Sequence, residues 1–283
     1  MPGFDTGHGG GERVRGITMN GIIDFHTHAF PDKLAEKAIG YLEEEGGIPA
    51  RLDGRLTSLL ASMNRCGIEK SVVCSIATKP SQFDPILEWS ESVRSERIIP
   101  LPSVHPDDPD VVEKVELVKK KGFKGIKLHP YYQSFDLDEK KLVPLYEKAC
   151  KENLMLVLHT GFDFAFERIR KADPEKIVRI KEMFPSLKLV ATHLGAWEDW
   201  DEVERLIVGK AIHMEISFSL EFLDRERAKR IIMNHPSDYV LFGTDSPWTD
   251  QAETLNLLKS LSLEPELENR ILRNNALSLL SSV

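Results

Sequence analysis

From Asn20 onward, short apolar runs alternate with longer stretches of helical spacing. Apolar or β-branched runs bounded by turn residues read as buried strands. They cover 21–26, 70–76, 98–104, 122–128, 154–159, 187–193, 211–217 and 239–242, with Pro100 and Pro102 making the third irregular. Helical spacing marks 32–45, with Asp32 as cap and Gly46-Gly47 as stop, then 56–66, ended by Gly67, and 85–95. Further helices are expected from Asp108-Pro109 to Lys121, from an Asp138 cap through Glu152 and from Asp173-Pro174 to Phe184. The last four cover 198–208, an Asp224 cap to Asn234, 252–260 and 265–280.

Each strand is thus followed by at least one helix, which predicts a parallel sheet with helical crossovers. Eight such units predict an α/β fold, a single-domain (β/α)8 TIM barrel over residues 19–283. The rival, an open doubly wound sheet, lacks a G-x-G-x-x-G after any strand. Residues 1–18 are Gly-rich and polar and read as a loose N-terminal extension, in which His8 has no role.

Composition narrows the function. The 283 residues are 41 % hydrophobic and 29 % charged, enough for a sizeable core. A net charge of −8 argues against a nucleic-acid binder, which needs clustered Lys and Arg. Runs such as Glu43-Glu44-Glu45 and Lys119-Lys120-Lys121 read as solvated helix faces. Cys66, Cys74 and Cys150 form no C-x-x-C, so neither a disulfide framework nor a thiolate zinc site is expected, and Cys74 and Cys150 read as core residues. No apolar run reaches membrane-spanning length and the start has no signal-peptide pattern, so a cytoplasmic location without a membrane partner is expected. A small-molecule substrate is the expected partner, and a homodimer stays open.

The chemistry gathers at the carboxyl ends of the strands, where such barrels carry their sites. Strand one ends in His26-Thr27-His28, and residues i and i+2 of a strand share a face. Two imidazoles on one face are half of a metal site, although His-x-His alone also describes two idle histidines at a strand end. Strand four ends in Lys127-Leu128-His129-Pro130, five in His159-Thr160-Gly161, six in Thr192-His193-Leu194-Gly195 and eight in Gly243-Thr244-Asp245-Ser246. His105, His213 and His235 read as structural. Phe30, Tyr131, Tyr132, Phe162, Phe164, Phe166, Trp197 and Trp248 crowd the same loops and predict a partly apolar pocket for a ring or acyl group.

The ordered set D-F-H-T-H, G-I-K-L-H-P, L-H-T-G, T-H-L-G and G-T-D-S-P-W resembles the amidohydrolase superfamily, and within it the "amidohydrolase 2" branch. That branch includes aminocarboxymuconate-semialdehyde and γ-resorcylate decarboxylases and pyrone-dicarboxylate lactonase. The closing Ile271-Leu272-Arg273-Asn274-Asn275-Ala276 resembles its terminal helix, so the likeness runs from about residue 22 to 280. The resemblance implies His26, His28, His159 and Asp245 as metal ligands and His193 as the acid/base histidine, with Asp245 also taking a proton. Three imidazoles and a carboxylate suit one Zn2+ with a position left for water. In dinuclear relatives the strand-four lysine is carboxylated and bridges two ions. Lys127 stands at that place, yet also reads as an inward lysine paired with Asp24 or a substrate carboxylate, and the mononuclear reading is taken here. His129, Lys127, Tyr131, Trp197 and Trp248 are the expected substrate contacts.

Hydrolysis of an amide, lactone or ester bond is the first functional expectation. Non-oxidative decarboxylation of an unsaturated or aromatic acid is the alternative, since the branch does both. His26-x-His28, where some decarboxylases have Glu-x-His, tilts slightly toward hydrolysis. A PHP-type phosphoesterase is a third reading, weakened by strand ends Ala77-Thr78-Lys79 and His105, which lack the extra carboxylates of a trinuclear site.

Overall fold

The computed structural model describes residues 21–283, so the expected extension and His8 lie outside the described residues. Eight strands appear where the apolar runs place them: β1 (Ile22–Thr27), β2 (Ile68–Cys74), β3 (Ile98–Leu101), β4 (Gly125–Leu128), β5 (Met155–Leu158), β6 (Lys188–Ala191), β7 (His213–Glu215) and β8 (Val240–Leu241). The helices are α1 (Asp32–Gly46), α2 (Leu56–Cys66), α3 (Phe83–Val93), α4 (Val111–Lys120), α5 (Val143–Lys151), α6 (Pro174–Met183), α7 (Trp200–Leu206), α8 (Arg225–Asn234), α9 (Gln251–Ser260), α10 (Pro265–Asn269) and α11 (Asn275–Ser282). A π-helical turn (Arg270–Asn274) joins the last two. Among the described residues no helix is long and apolar enough to cross a membrane.

The strands pair in parallel as β1-β2-β3 and β4-β5-β6-β7-β8. Backbone bonds join these sheets into a barrel at two seams: at β1–β8 Phe25 N–H donates to Phe242 O at 2.8 Å and His28 N–H to Ser246 O at 2.6 Å, and at β3–β4 Lys127 N–H donates to Pro102 O at 3.0 Å. The β3–β4 seam is thin because Pro100 and Pro102 have no N–H to give. Instead the Ser103 hydroxyl donates to Lys127 O at 2.8 Å. This is why β3 stops at Leu101 and not at Val104 as expected.

Alternate residues face opposite ways. Ile23, Phe25, Val72, Leu101, Met155, Val157 and Leu241 form the barrel interior, plugged from the amino end by Ala276 and Leu279 of α11. Ile22, Val73, Ile126, Leu128, Leu156 and Leu189 face the helices. Caps at Asp173 and Asp224 form as expected, each side chain accepting from the third residue on. Two expected caps do not form. Asp32 is itself the first residue of α1, after Pro31, and a 3-10 turn (Lys140–Leu142) precedes α5, leaving Asp138 to pair with Arg179.

Candidate metal centre

A bulge aims β1 at its target. Asp24 pairs with Ser71 and Thr27 with Val73, so β1 advances three residues where β2 advances two. Phe25 faces the interior, and strict alternation would turn His26 outward; the extra residue turns it into the barrel mouth. Asp24 stays behind, accepting from Thr244 N at 3.0 Å, Thr244 Oγ1 at 2.7 Å and Gln251 Nε2 at 2.7 Å. Burial, working against those donors, pushes its carboxyl up to about 7. Asp24 thus serves the β1–β8 seam, and the expected Lys127–Asp24 pair does not form.

Each histidine at the mouth has one ring nitrogen committed. His26 Nδ1 lies 3.0 Å from Glu215 Oε1, and His28 Nδ1 lies 2.8 Å from Cys74 O. His193 Nδ1 faces Ser217 O at 3.2 Å, and His159 Nε2 faces Phe162 O at 3.0 Å. Carbonyl and carboxylate oxygens only accept, so those nitrogens carry the protons and the other four present lone pairs. Burial holds His26 and His159 well below the usual histidine range and keeps them neutral.

The bare nitrogens fall into two adjoining groups. His26 Nε2 and His28 Nε2 stand 3.1 Å apart, with Asp245 Oδ1 at 3.4 and 3.1 Å from them. The second group is His193 Nε2 and His159 Nδ1, 3.1 Å apart. The His26 and His193 ring centroids are 5.6 Å apart. Ligands about 2.0–2.1 Å from a tetrahedral ion stand about 3.3–3.4 Å from one another, so the first group has the donors and the spacing for a divalent cation. The expected third ligand, His159, belongs to the second group.

Lys127 is fully buried with Nζ 3.0 Å from His26 Nε2, and burial lowers its pKa. Cys74, below the mouth, is pushed up to about 12 by burial and stays a thiol.

Backbone geometry supports the same spot. His193, Leu194 and Asp245 have φ of 59°, 52° and 60°, a left-handed conformation costly for non-glycine residues. Glu215 Oε1 accepts His193 N–H at 3.0 Å, and His26 O accepts Asp245 N–H at 2.7 Å. Gly243 leaves room for Glu215: a Cβ there would sit 2.2 Å from its Oε2. Gly161, at φ 87°, lets the Trp197 backbone approach to 2.0 Å from where a Cβ would be.

These groups floor a cavity of about 610 Å³, lined mainly by apolar side chains and including the expected Lys127, His129, Trp197 and Trp248. Tyr131 does not line it. Its hydroxyl points at Gly161 O and Ile169 O, at 3.0 and 2.6 Å, and neighbouring Tyr132 faces the cavity instead. Tyr131 is therefore a loop clamp. His129 Nδ1 accepts Tyr132 N–H at 3.4 Å, which leaves Nε2 toward Asp163 Oδ2, also at 3.4 Å.

The family description Amidohydrolase matches residues 23–281. The chain belongs to the amidohydrolase family. The family and the donor set together make the mouth of this amidohydrolase a divalent-metal centre. Two Helicobacter pylori proteins named dihydroorotase are 25 % identical over 202 residues, covering 67 % of this chain and 52 % of theirs. The chain thus spans about half the length of those curated relatives. Among solved structures, an uncharacterised TIM-barrel protein of Bordetella bronchiseptica superposes with TM-score 0.75 at 20 % identity, over 92 % of this chain and 98 % of that one. The 5-carboxyvanillate decarboxylase of Sphingomonas paucimobilis gives 0.69 at 13 % identity, over 93 % and 99 %. A manganese-bound dihydroxybenzoic acid decarboxylase of Polaromonas gives 0.67 at 14 % identity, over 93 % and 97 %. At these identities the likeness is one of fold, a TIM barrel as expected.

Two residues that the structure places at the site, Glu215 beside His26 and Asp163 in the cavity wall, are not singled out by the sequence. Glu215 had a signal, a lone carboxylate in the apolar run Ile212-His213-Met214-Glu215-Ile216. Asp163 had none beyond its place just after the strand-five motif.

Proposed function

We propose that this amidohydrolase is a zinc-dependent hydrolase that cleaves an amide, lactone or ester bond of a small molecule. The observation that carries the reading is the triad His26 Nε2, His28 Nε2 and Asp245 Oδ1, with mutual spacings of 3.1–3.4 Å and lone pairs aimed by Glu215 and Cys74 O. A divalent cation there supplies Lewis acidity, acidifying water and polarising a carbonyl. Asp245, as a carboxylate beside the ion, would accept a proton from the attacking water. His193, with its Nδ1–H anchored on Ser217 O, presents the bare Nε2 as a base; once Nε2 has taken up a proton it can pass that proton to the leaving group. The apolar cavity holds the rest of the substrate and excludes water.

A second ion is the alternative stoichiometry, favoured by the facing lone pairs of His159 and His193 and by buried Lys127. Carbon dioxide adding to the deprotonated form of the Lys127 amine, with loss of a proton, would give a carbamate between the two groups. Non-oxidative decarboxylation is the alternative reaction, favoured by the names of the structural neighbours. Three free cysteines support a reducing, cytoplasmic setting. The partner is a small molecule, and a homodimer is compatible with this.

Elemental analysis of protein purified without chelator tests the centre. One zinc per chain supports the triad alone, two support the Lys127 bridge, and none with no rebinding on titration ends the metal reading. Titratable acid against carbon dioxide release, over a substrate panel, separates the reactions.

A further inference from the structure

Among the polar groups of the cavity wall that the reaction does not use, one is a carboxylate. Asp163 lines the cavity, its side chain 13 % exposed. Oδ1 is taken by Ala165 N–H at 2.9 Å, which fixes the carboxylate on its loop. Oδ2 receives one long contact, from His129 Nε2–H at 3.4 Å, which leaves it acceptor capacity; His159 Nε2 lies 3.6 Å away, but its proton already goes to Phe162 O. Among the described residues no Lys or Arg lies within ion-pair distance of it. The basic side chains of the lining are Lys127, buried beside His26, and Lys37, exposed on α1 at the rim. Among the described residues no arginine lines the cavity. A carboxylate in an apolar wall without a cation is left for a partner that arrives with the ligand. It also repels anions: a second carboxylate about 6 Å away, at an effective dielectric near 20, loses roughly a hundredfold in affinity.

We infer that Asp163 is a specificity-determining residue. The substrate, besides the group that reacts at the metal centre, carries a second polar group that is a hydrogen-bond donor, an ammonium, amine or hydroxyl and not a carboxylate or phosphate. This rests on the metal-centre reading above. The aromatic walls Trp89, Tyr132, Phe164, Trp197 and Trp248 take the apolar body between the two polar ends.

Calorimetry on the zinc-loaded full chain tests this with three probes. They are benzohydroxamate and its aminomethyl and carboxyl derivatives, substituted at the meta or the para position. The hydroxamate anchors on the ion in all of them. The expected result is at least a tenfold preference for the better aminomethyl isomer over the better carboxyl isomer. That preference collapses in Asp163→Asn, while plain benzohydroxamate binds as before. Asp163→Ser, which keeps an acceptor for Ala165 N–H, serves if the Asn variant does not fold. Equal binding of the two derivatives, or a preference that survives both substitutions, overturns the assignment. Failure of benzohydroxamate itself to bind overturns the metal centre, and this inference with it.

Discussion

The two ends of the barrel are built from the same strands and do opposite work. On β5, Met155 and Val157 face the interior, and two residues on His159 reaches the mouth. On β4 the inward line runs from Gly125 to Lys127 and His129. At the amino end every inward side chain has an apolar neighbour, and α11 seals the floor with Ala276 and Leu279. At the carboxyl end the buried groups are polar, and four imidazole nitrogens have lone pairs facing one another, with the Lys127 amine as a donor to one of them, His26 Nε2, at 3.0 Å. Such an arrangement costs stability unless a cation or ligand fills it. Packing is therefore concentrated where there is no chemistry, and unsatisfied polarity where there is.

The sharpest break of this comparison pairs one substitution from each end. Asp245→Asn should lower activity on any substrate by on the order of a thousandfold, the worth of several kcal/mol of Lewis acidity, with little change in melting temperature of the metal-free protein. Met155→Ala should do the reverse, costing about 2–5 kcal/mol in denaturant unfolding while turnover per folded molecule holds. If Met155→Ala lost turnover and Asp245→Asn lost only stability, the division of labour would be wrong.

A finer test addresses how the mouth is aimed. Glu215→Gln keeps the shape but weakens the hold on His26 Nδ1, and metal affinity should fall about 10–100-fold in competition with a chelator. Unchanged affinity would mean that the carboxylate serves only the left-handed turn at His193.

The smallest effect belongs to the amino end. His213, half-buried against Tyr239, is lowered by burial from 6.5 to about 4. The unfolded chain binds its proton first, so stability from the neutral ring is complete above about pH 6.5 and is lost as pH falls toward 4. His213→Gln should flatten the melting-temperature profile across that window. A profile as steep as that of the unsubstituted chain would assign the acid sensitivity to other groups.

Much of this was legible in the chain. Buried parallel strands must be apolar on both faces, so the runs around Val72, Val157 and Val190 stood out, and the glycines at 47 and 67 marked two helix ends through their left-handed φ of 64° and 68°. Strand ends were harder where a backbone donor was missing, as at Pro102, and helix starts where an acidic residue could cap or simply follow, as at Asp32. The motif histidines were visible because they interrupt apolar runs. Tyr131 was misplaced by one residue because loop periodicity does not say which of two adjacent tyrosines turns inward.

The sequence by itself determined the fold class and which strand ends bear nitrogen and carboxylate ligands, since both follow from local period and composition. Only the tertiary structure decided what those ligands do together. The bulge that turns His26 inward depends on β2, and the proton on its Nδ1 depends on Glu215, 189 residues away. The sorting of five ligands into a triad and a pair, and the exposure of Asp163 to the cavity, likewise arise from contacts between strands and loops distant in the chain. No local pattern encodes such contacts, because a side chain's tautomer and direction are set by the neighbours that closure of the barrel brings to it.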